Sequence, residues 1–132
     1  TVALVGADVA LHIGRRRALR SYGTETAALR RLARDELREA ELLLASGNLD
    51  QARRAYRRLV SRYSGTGVEP QAIYQLASID ALEGELDAAL DRYRLIAGKF
   101  PTPELYDRAN KAAADILFAL ERYEESLEHL AL

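Results

Sequence analysis

Apolar residues recur at spacings of three and four along most of this chain, the pattern of helices with one buried face. Successive runs predict helices over 24–46, 50–63, 70–83, 87–98, 104–119 and from 123 to the end. The breaks carry Gly47-Asn48, Ser64-Gly65-Thr66-Gly67, Gly84 and Phe100-Pro101-Thr102-Pro103. Gly and Pro interrupt helices, and Thr24 and Asp50 are suitable N-caps for the first two. The pattern therefore predicts an all-α fold.

The helical pattern repeats with a period of 37 residues, from Gly47 to Gly84. The segment Gly47-x-Leu49-Asp50-x-Ala52-x-x-x-Tyr56-Arg57 returns as Gly84-x-Leu86-Asp87-x-Ala89-x-x-x-Tyr93-Arg94, and a fainter third copy is Tyr123-Glu124-x-Ser126 with Leu130. Such a period is typical of stacked units that are each too thin to bury their own apolar face. Small residues where helices cross let them approach closely, and large residues fill the gap to the next pair.

These helix pairs resemble tetratricopeptide repeats over about residues 33–132. The matching residues are Ala40, Ala77 and Ala114 in the first helices, the turn glycines Gly47 and Gly84, Leu49, Leu86 and Tyr123 after the turns, Ala52, Ala89 and Ser126 in the second helices, and Tyr56, Tyr93 and Leu130 one turn on. The resemblance implies a right-handed superhelical α-solenoid of about three helix pairs, with repeats over about 33–66, 70–103 and 107–132 and an extra N-terminal helical segment. The period exceeds the usual 34, with the extra residues in the loops 64–69 and 101–106. The endings Arg62-Tyr63-Ser64 and Lys99-Phe100-Pro101 are similar to those of bacterial cell-envelope repeat proteins.

In tetratricopeptide stacks the first helix of each pair lines a concave groove that holds a partner. The groove positions that the resemblance implies here are Arg34, Leu37, Glu41 and Leu44, then Gln71, Tyr74, Ser78 and Ala81, then Arg108, Lys111, Asp115 and Phe118. Tyr74 and Phe118 are the strongest candidates for partner contact, whereas Leu44 and Ala81 are interpreted as packing residues. The mixture of apolar and charged groups suits an extended peptide or a partner helix. Leu37 and Glu41 stand where the family's carboxylate clamp has Lys and Asn, so no such clamp is expected.

The first 14 residues are nearly all apolar and are followed at once by Arg15-Arg16-Arg17. They suit an amphipathic helix packed on the first repeat, a membrane or interfacial anchor, or a β-strand. A bilayer crossing needs about 20 residues, so an anchor requires a chain that begins earlier, and Asp8 and His12 are costly in lipid. We expect residues 1–23 to form a separate segment before a repeat domain over 24–132. The apolar end at Leu130-Ala131-Leu132 leads us to expect a further covering element or a longer chain.

The inventory of catalytic groups is poor. Cysteine is absent, which excludes disulfides and thiolate metal sites. His12 and His129 lack the spacing of a metal site, and neither a P-loop nor a nucleophile elbow is present. Acidic residues cluster at turns and helix starts, where the helix dipole favours them. No catalytic, cofactor-binding or metal-binding residue is therefore predicted; an enzyme would need carboxylates with strongly shifted pKa values in the groove.

Charge is divided unevenly along the chain. The net charge of −1 combines +6 over residues 1–62 with −7 over residues 63–132. An asymmetry of this kind can steer charged partners or promote head-to-tail self-association. Arginine stripes on the first two helices are interpreted as solvated faces, with contact to an acidic partner or anionic lipid as the alternative. Nucleic acid is not expected as a partner, because no aromatic residues interleave to stack bases.

The leading functional hypothesis is a non-catalytic protein–protein interaction scaffold or adaptor. It would bind a peptide or partner helix in its groove, beside a membrane (cytoplasmic face or cell envelope) or within a larger assembly, with membrane contact through residues 1–20. The alternative is an accessory structural subunit anchored in a membrane complex by its N-terminal segment.

Overall fold

The computed structural model describes residues 22–100, 102–120 and 123–131, and these ranges are helical with short turns and no strand. The helices are α1 (Tyr22–Ala45), α2 (Leu49–Arg62), α3 (Val68–Leu82), α4 (Leu86–Lys99), α5 (Pro103–Ala119) and α6 (Tyr123–Ala131). The all-α prediction is confirmed. Of the helices in these ranges, none combines the length and apolar character that a bilayer crossing requires. The alternatives for the N-terminal segment fall on residues 1–21, outside the described ranges.

Contacts divide the chain into two units, Thr1–Asp35 and Glu36–Leu132, and the boundary falls within α1. In the larger unit each helix from α2 to α6 packs against the next, and α3 also touches α5. Contact between α3 and α5 places the first helices of the second and third pairs side by side. That arrangement is the one expected of a repeat stack.

Glycine closes the turns after α1 and α3. Gly47 and Gly84 have φ of 84° and 81°, in the left-handed region that other residues avoid. At each turn the glycine N–H donates to a carbonyl three residues back, and the next N–H donates to one five back, from Asn48 to Leu43 (3.0 Å) and from Glu85 to Asp80 (2.8 Å). This Schellman geometry satisfies the last carbonyls of each helix.

The predicted N-caps are wrong. Helix α1 already includes Thr24, and α2 begins at Leu49 with Asn48 in the cap position. The Asn48 side chain makes no capping hydrogen bond. The tight glycine turn starts α2 directly after α1, which places Asp50 in the first turn, where its charge interacts favourably with the helix dipole.

The small residues of the repeat are buried as the sequence predicts. Ala40 and Ala77 are fully inaccessible and Ala114 is 2% exposed. In the second helices Ala52 and Ala89 are also fully buried. The third large residue, Leu130, is 63% exposed on α6. The core of the larger unit is centred on α3, α4 and α5.

Two glycines allow a matched test of the turn. Gly84→Ala is expected to lower the free energy of unfolding by about 1 kcal/mol, because alanine is disfavoured at positive φ. Gly98 lies inside α4, with open space around it and no positive φ, so Gly98→Ala is expected to raise it by about 0.5 kcal/mol. Urea unfolding followed by circular dichroism measures both, and equal effects would contradict the turn's role.

Candidate functional site

A cavity of about 560 Å³ lies among α1, α3 and α5. We call it the α1–α3–α5 groove. Its lining comes from the second half of α1, the first two turns of α3 and the start of α5: Leu37, Glu41, Gly67, Gln71, Tyr74, Gln75, Thr102, Pro103, Glu104, Leu105 and Arg108. It forms because the first helices of successive pairs lie next to one another, with their second helices packed behind them.

Within this groove, Tyr74 makes contacts with two other side chains. The Arg108 guanidinium lies 4.8 Å from its ring centroid, in cation–π geometry. The Tyr93 ring also meets the Tyr74 ring edge to face, with centroids 5.3 Å apart. The Tyr93 and Ser78 hydroxyls lie 3.1 Å apart, and the Ser78 hydroxyl also donates to the Tyr74 carbonyl. Tyr74 therefore presents a pre-positioned aromatic surface.

The structure brings together five of the twelve predicted groove residues. Leu37, Glu41, Gln71, Tyr74 and Arg108 all line the cavity, and Ser78 supports it through Tyr93. Lys111, Asp115 and Phe118 are exposed further along α5 and do not line it. Arg34, exposed on α1, belongs to the smaller unit. Leu44 and Ala81 are half-buried.

Sequence reasoning missed the side of the groove formed by Thr102–Leu105 and Gln75. The first group is the N-cap and first turn of α5, which precede the α5 groove positions carried over from the family. Gln75 lies one helical turn after Gln71, a spacing that places both on one face. This four-residue spacing was the sequence signal that could have identified Gln75 as a groove residue.

A buried tyrosine lies behind the groove. Tyr56 is fully inaccessible, and its hydroxyl has no hydrogen-bond partner among the described residues. Burial raises the pKa of this phenol to about 12, and the negative charge of Glu41 contributes to the shift. Glu41 and Tyr56 lie one repeat before Ser78 and Tyr93. The first repeat therefore places a carboxylate where the second has a hydroxyl.

A buried carboxylate connects α2, α3 and α4. Asp80 on α3 is 2% exposed and accepts from Arg53 on α2 (2.7 Å) and from Arg92 on α4. Arg53 also pairs with Glu83. The hydrogen bond to Asp80 is the largest of the effects that raise the pKa of Arg53. One repeat later Arg53 and Asp80 correspond to Leu90 and Leu117, both buried in the core, so an ion pair and a leucine pair occupy equivalent positions.

A second cavity, of about 870 Å³, lies between α1 and α2. One of its walls is a hydrogen-bonded group: the Tyr63 hydroxyl donates to Glu36 (2.6 Å), and Arg62 pairs with the same carboxylate (3.1 Å). The hydrogen bond to Glu36 raises the pKa of Tyr63. These contacts join the two helices of the first pair, so we assign this group a structural role.

Comparison with known families identifies the first helix pair. The family model described as Tetratricopeptide repeat matches residues 36–66, which comprise the second half of α1, all of α2 and the turn after it. The predicted resemblance to tetratricopeptide repeats is confirmed, and the larger unit has the all-α helix-pair architecture of that family. No curated protein and no solved structure matches the chain significantly. The narrower likeness to bacterial cell-envelope proteins stays a prediction without support.

The match covers residues 36–66 alone, so it identifies one tetratricopeptide repeat, the first helix pair, within the chain. A tetratricopeptide repeat is a protein–protein interaction module and is generally non-catalytic, so partners of this chain are expected among proteins.

Proposed function

We propose that this protein is an adaptor that binds a segment of a partner protein in the α1–α3–α5 groove. The observation that carries the proposal is Tyr74, which contacts both Arg108 and Tyr93 on the wall of a cavity lined by three helices. Aromatic side chains fixed in advance give contact area at low cost in conformational entropy, which is why they dominate binding hot spots.

The lining favours a peptide segment as the ligand. Leu37 and Leu105 are buried and supply apolar surface beside Tyr74. Gln71 and Gln75 place two amides along the same wall, and an amide both donates and accepts hydrogen bonds, as a peptide backbone requires. A segment that rests an apolar side chain on Tyr74 and pairs its backbone with these amides uses both parts of the wall.

The proposed footprint continues along α5. Lys111, Asp115 and Phe118 follow Arg108 on this helix, and Phe118 is 60% exposed. Ten residues of helix from Arg108 to Phe118 span about 15 Å, so a segment longer than the cavity would reach them. Placement beside a membrane, the anchored-subunit alternative and self-association stay predictions of the sequence.

Tyr74→Ala is expected to weaken binding of such segments at least about tenfold, the effect typical of losing a buried aromatic anchor. The probes are peptides selected from a randomised display library on the wild-type chain, and affinity is measured by fluorescence anisotropy. Tyr106→Ala is the matched control, because Tyr106 is a half-buried tyrosine on α5 that does not line the groove. Phe118→Ala tests the extension along α5. Selected peptides that bind Tyr74→Ala as tightly as the wild type would contradict the proposal.

A further inference from the structure

The cavity between α1 and α2 corresponds to a place where a helix packs further along the stack. On the second helix pair, Arg53 of α2 contacts Asp80 and Glu83 near the end of α3. One repeat earlier these two positions hold Leu43 and Ser46, and both line the cavity of about 870 Å³. This cavity, which we call the α1–α2 cavity, therefore has the position on the first pair that α2 has on the second pair.

An apolar residue that lines this cavity has buried equivalents in the other two helix pairs. Leu42 is 64% exposed, whereas Ile79 in α3 is fully inaccessible and Ile116 in α5 is 7% exposed. The two isoleucines lie on helices against which α2 and α4 pack. A helix packed on α1 in the same way would cover Leu42 and remove its apolar surface from water, which is favourable.

Helix α6 exposes apolar residues at positions that α2 and α4 use to contact the next pair. Leu127 is the equivalent of Arg53 in α2 and of Leu90 in α4. Leu90 is 2% exposed and lies in the core with Leu117 of α5, whereas Leu127 is 66% exposed. Leu130, one helical turn after Leu127, is 63% exposed. The first and third pairs therefore expose the two halves of a contact that is formed twice between them.

The distribution of charge favours a second copy of the chain as the partner of this cavity. Arg58 and Arg62 of α2 line the cavity beside two glutamates of α1, and one of these glutamates, Glu36, already pairs with Arg62. Helix α6 carries three glutamates and neither lysine nor arginine. Over the whole chain, residues 1–62 carry +6 and residues 63–132 carry −7. Opposite charges on the two halves steer the α6 end of one molecule toward the α1–α2 end of another.

We propose that α6 of one molecule packs in the α1–α2 cavity of a second copy, with Leu127 against Leu43. In this register the contact repeats the one between α4 and α5, where Leu90 and Leu117 hold the equivalent positions. It joins two different surfaces of the chain, so it is heterologous and adds molecules head to tail. It is independent of the proposed function, because neither Leu42 nor Leu43 lines the α1–α3–α5 groove.

The test replaces one exposed leucine on each surface by aspartate in the full chain. Leu42→Asp alters the cavity and Leu127→Asp alters α6, and each is expected to weaken self-association at least about tenfold, as loss of a central apolar contact does. Mixed in equal amounts, the two variants are expected to form a one-to-one complex, because each keeps the surface that the other has lost. Sedimentation equilibrium measures the masses, and circular dichroism verifies that the variants are folded.

Leu82→Asp is the matched control. Leu82 is 68% exposed on α3 and does not line the cavity, so this variant is expected to associate as the wild type does. A control variant that loses association as Leu42→Asp does would overturn the assignment of the surface.

The wild-type chain alone provides a second readout. Its mean mass is expected to rise with concentration beyond that of a dimer. Association is expected to be weaker at about 1 M salt, where the screening length is about 3 Å, than at about 0.01 M salt, where it is about 30 Å. A monomer at every concentration up to about 1 mM would overturn the proposal and indicate that another segment of the chain or a different protein covers the cavity.

Three further results would also overturn the proposal: masses that stop at a dimer, association that salt leaves unchanged, and a mixture of Leu42→Asp with Leu127→Asp that stays monomeric. None of them affects peptide binding in the α1–α3–α5 groove, which Tyr74→Ala tests separately.

Discussion

Replacing Asp80 by alanine is expected to lower the free energy of unfolding by about 3 kcal/mol, at the low end for breaking a buried ion pair. The loss arises because Arg53 and Arg92 lose the carboxylate that both contact. The expected loss of stability is at the low end of this range because Arg53 keeps its ion pair with Glu83. Urea unfolding measures the change, and Asp91→Ala is the matched control, since Asp91 is exposed on α4 and is expected to cost at most about 0.5 kcal/mol.

The repeat itself supplies a rescue for this variant. The positions of Arg53 and Asp80 hold Leu90 and Leu117 one repeat later. A buried ion pair can often be replaced by well-packed apolar residues without loss. The double variant Arg53→Leu/Asp80→Leu is therefore expected to be more stable than Asp80→Ala. A double variant less stable than Asp80→Ala would show that the two repeat boundaries are not equivalent.

Leu117→Ala is expected to cost about 3 kcal/mol of unfolding free energy, because it removes a fully buried side chain from the core between α4 and α5. Leu95→Ala is its control, since Leu95 lies on α4 with 44% exposure. Its expected cost is below about 1 kcal/mol. Thermal and urea unfolding of both variants provide the measurement. Equal losses of unfolding free energy in Leu117→Ala and Leu95→Ala would contradict the packing of Leu117 between α4 and α5.

The helices and their close contacts could be predicted because the residues that produce them recur from the first repeat to the second. A turn glycine, an alanine at the crossing and a large residue one turn later each serve a local geometric need that recurs every 37 residues, as from Gly47 to Gly84. Burial of Ala40 and Ala77 confirms that reasoning. Of the predicted N-caps, Asp50 lies two residues after the cap position at Asn48, and Thr24 lies inside α1.

The ion cluster around Asp80 could not be predicted in the same way. The equivalent positions in the neighbouring repeats hold Leu43 and Leu117. Position within the repeat therefore indicates the core, whereas the charged side chain of Asp80 indicates exposure to solvent. Both arginine partners lie on other helices, far away in sequence. For Asp80, position within the repeat indicates burial correctly, and residue type does not.

The groove was predictable in part. Leu37, Glu41, Gln71, Tyr74 and Arg108 occupy family positions and do converge. The wall at Thr102–Leu105 comes from the N-cap and first turn of α5, before the α5 positions that the resemblance assigned to the groove. The contacts of Tyr74 depend on which residues α4 and α5 bring to it, and only the folded chain shows those.

Peptide binding in the α1–α3–α5 groove is tested most directly by locating a bound peptide on the protein. The measurement is NMR of the isotope-labelled chain with a library-selected peptide, with intermolecular distances assigned to side chains. We predict contacts to Tyr74, Gln71 and Arg108 on the groove walls. Contacts confined to the outer faces of α2, α4 and α6, or to the cavity between α1 and α2, would contradict it.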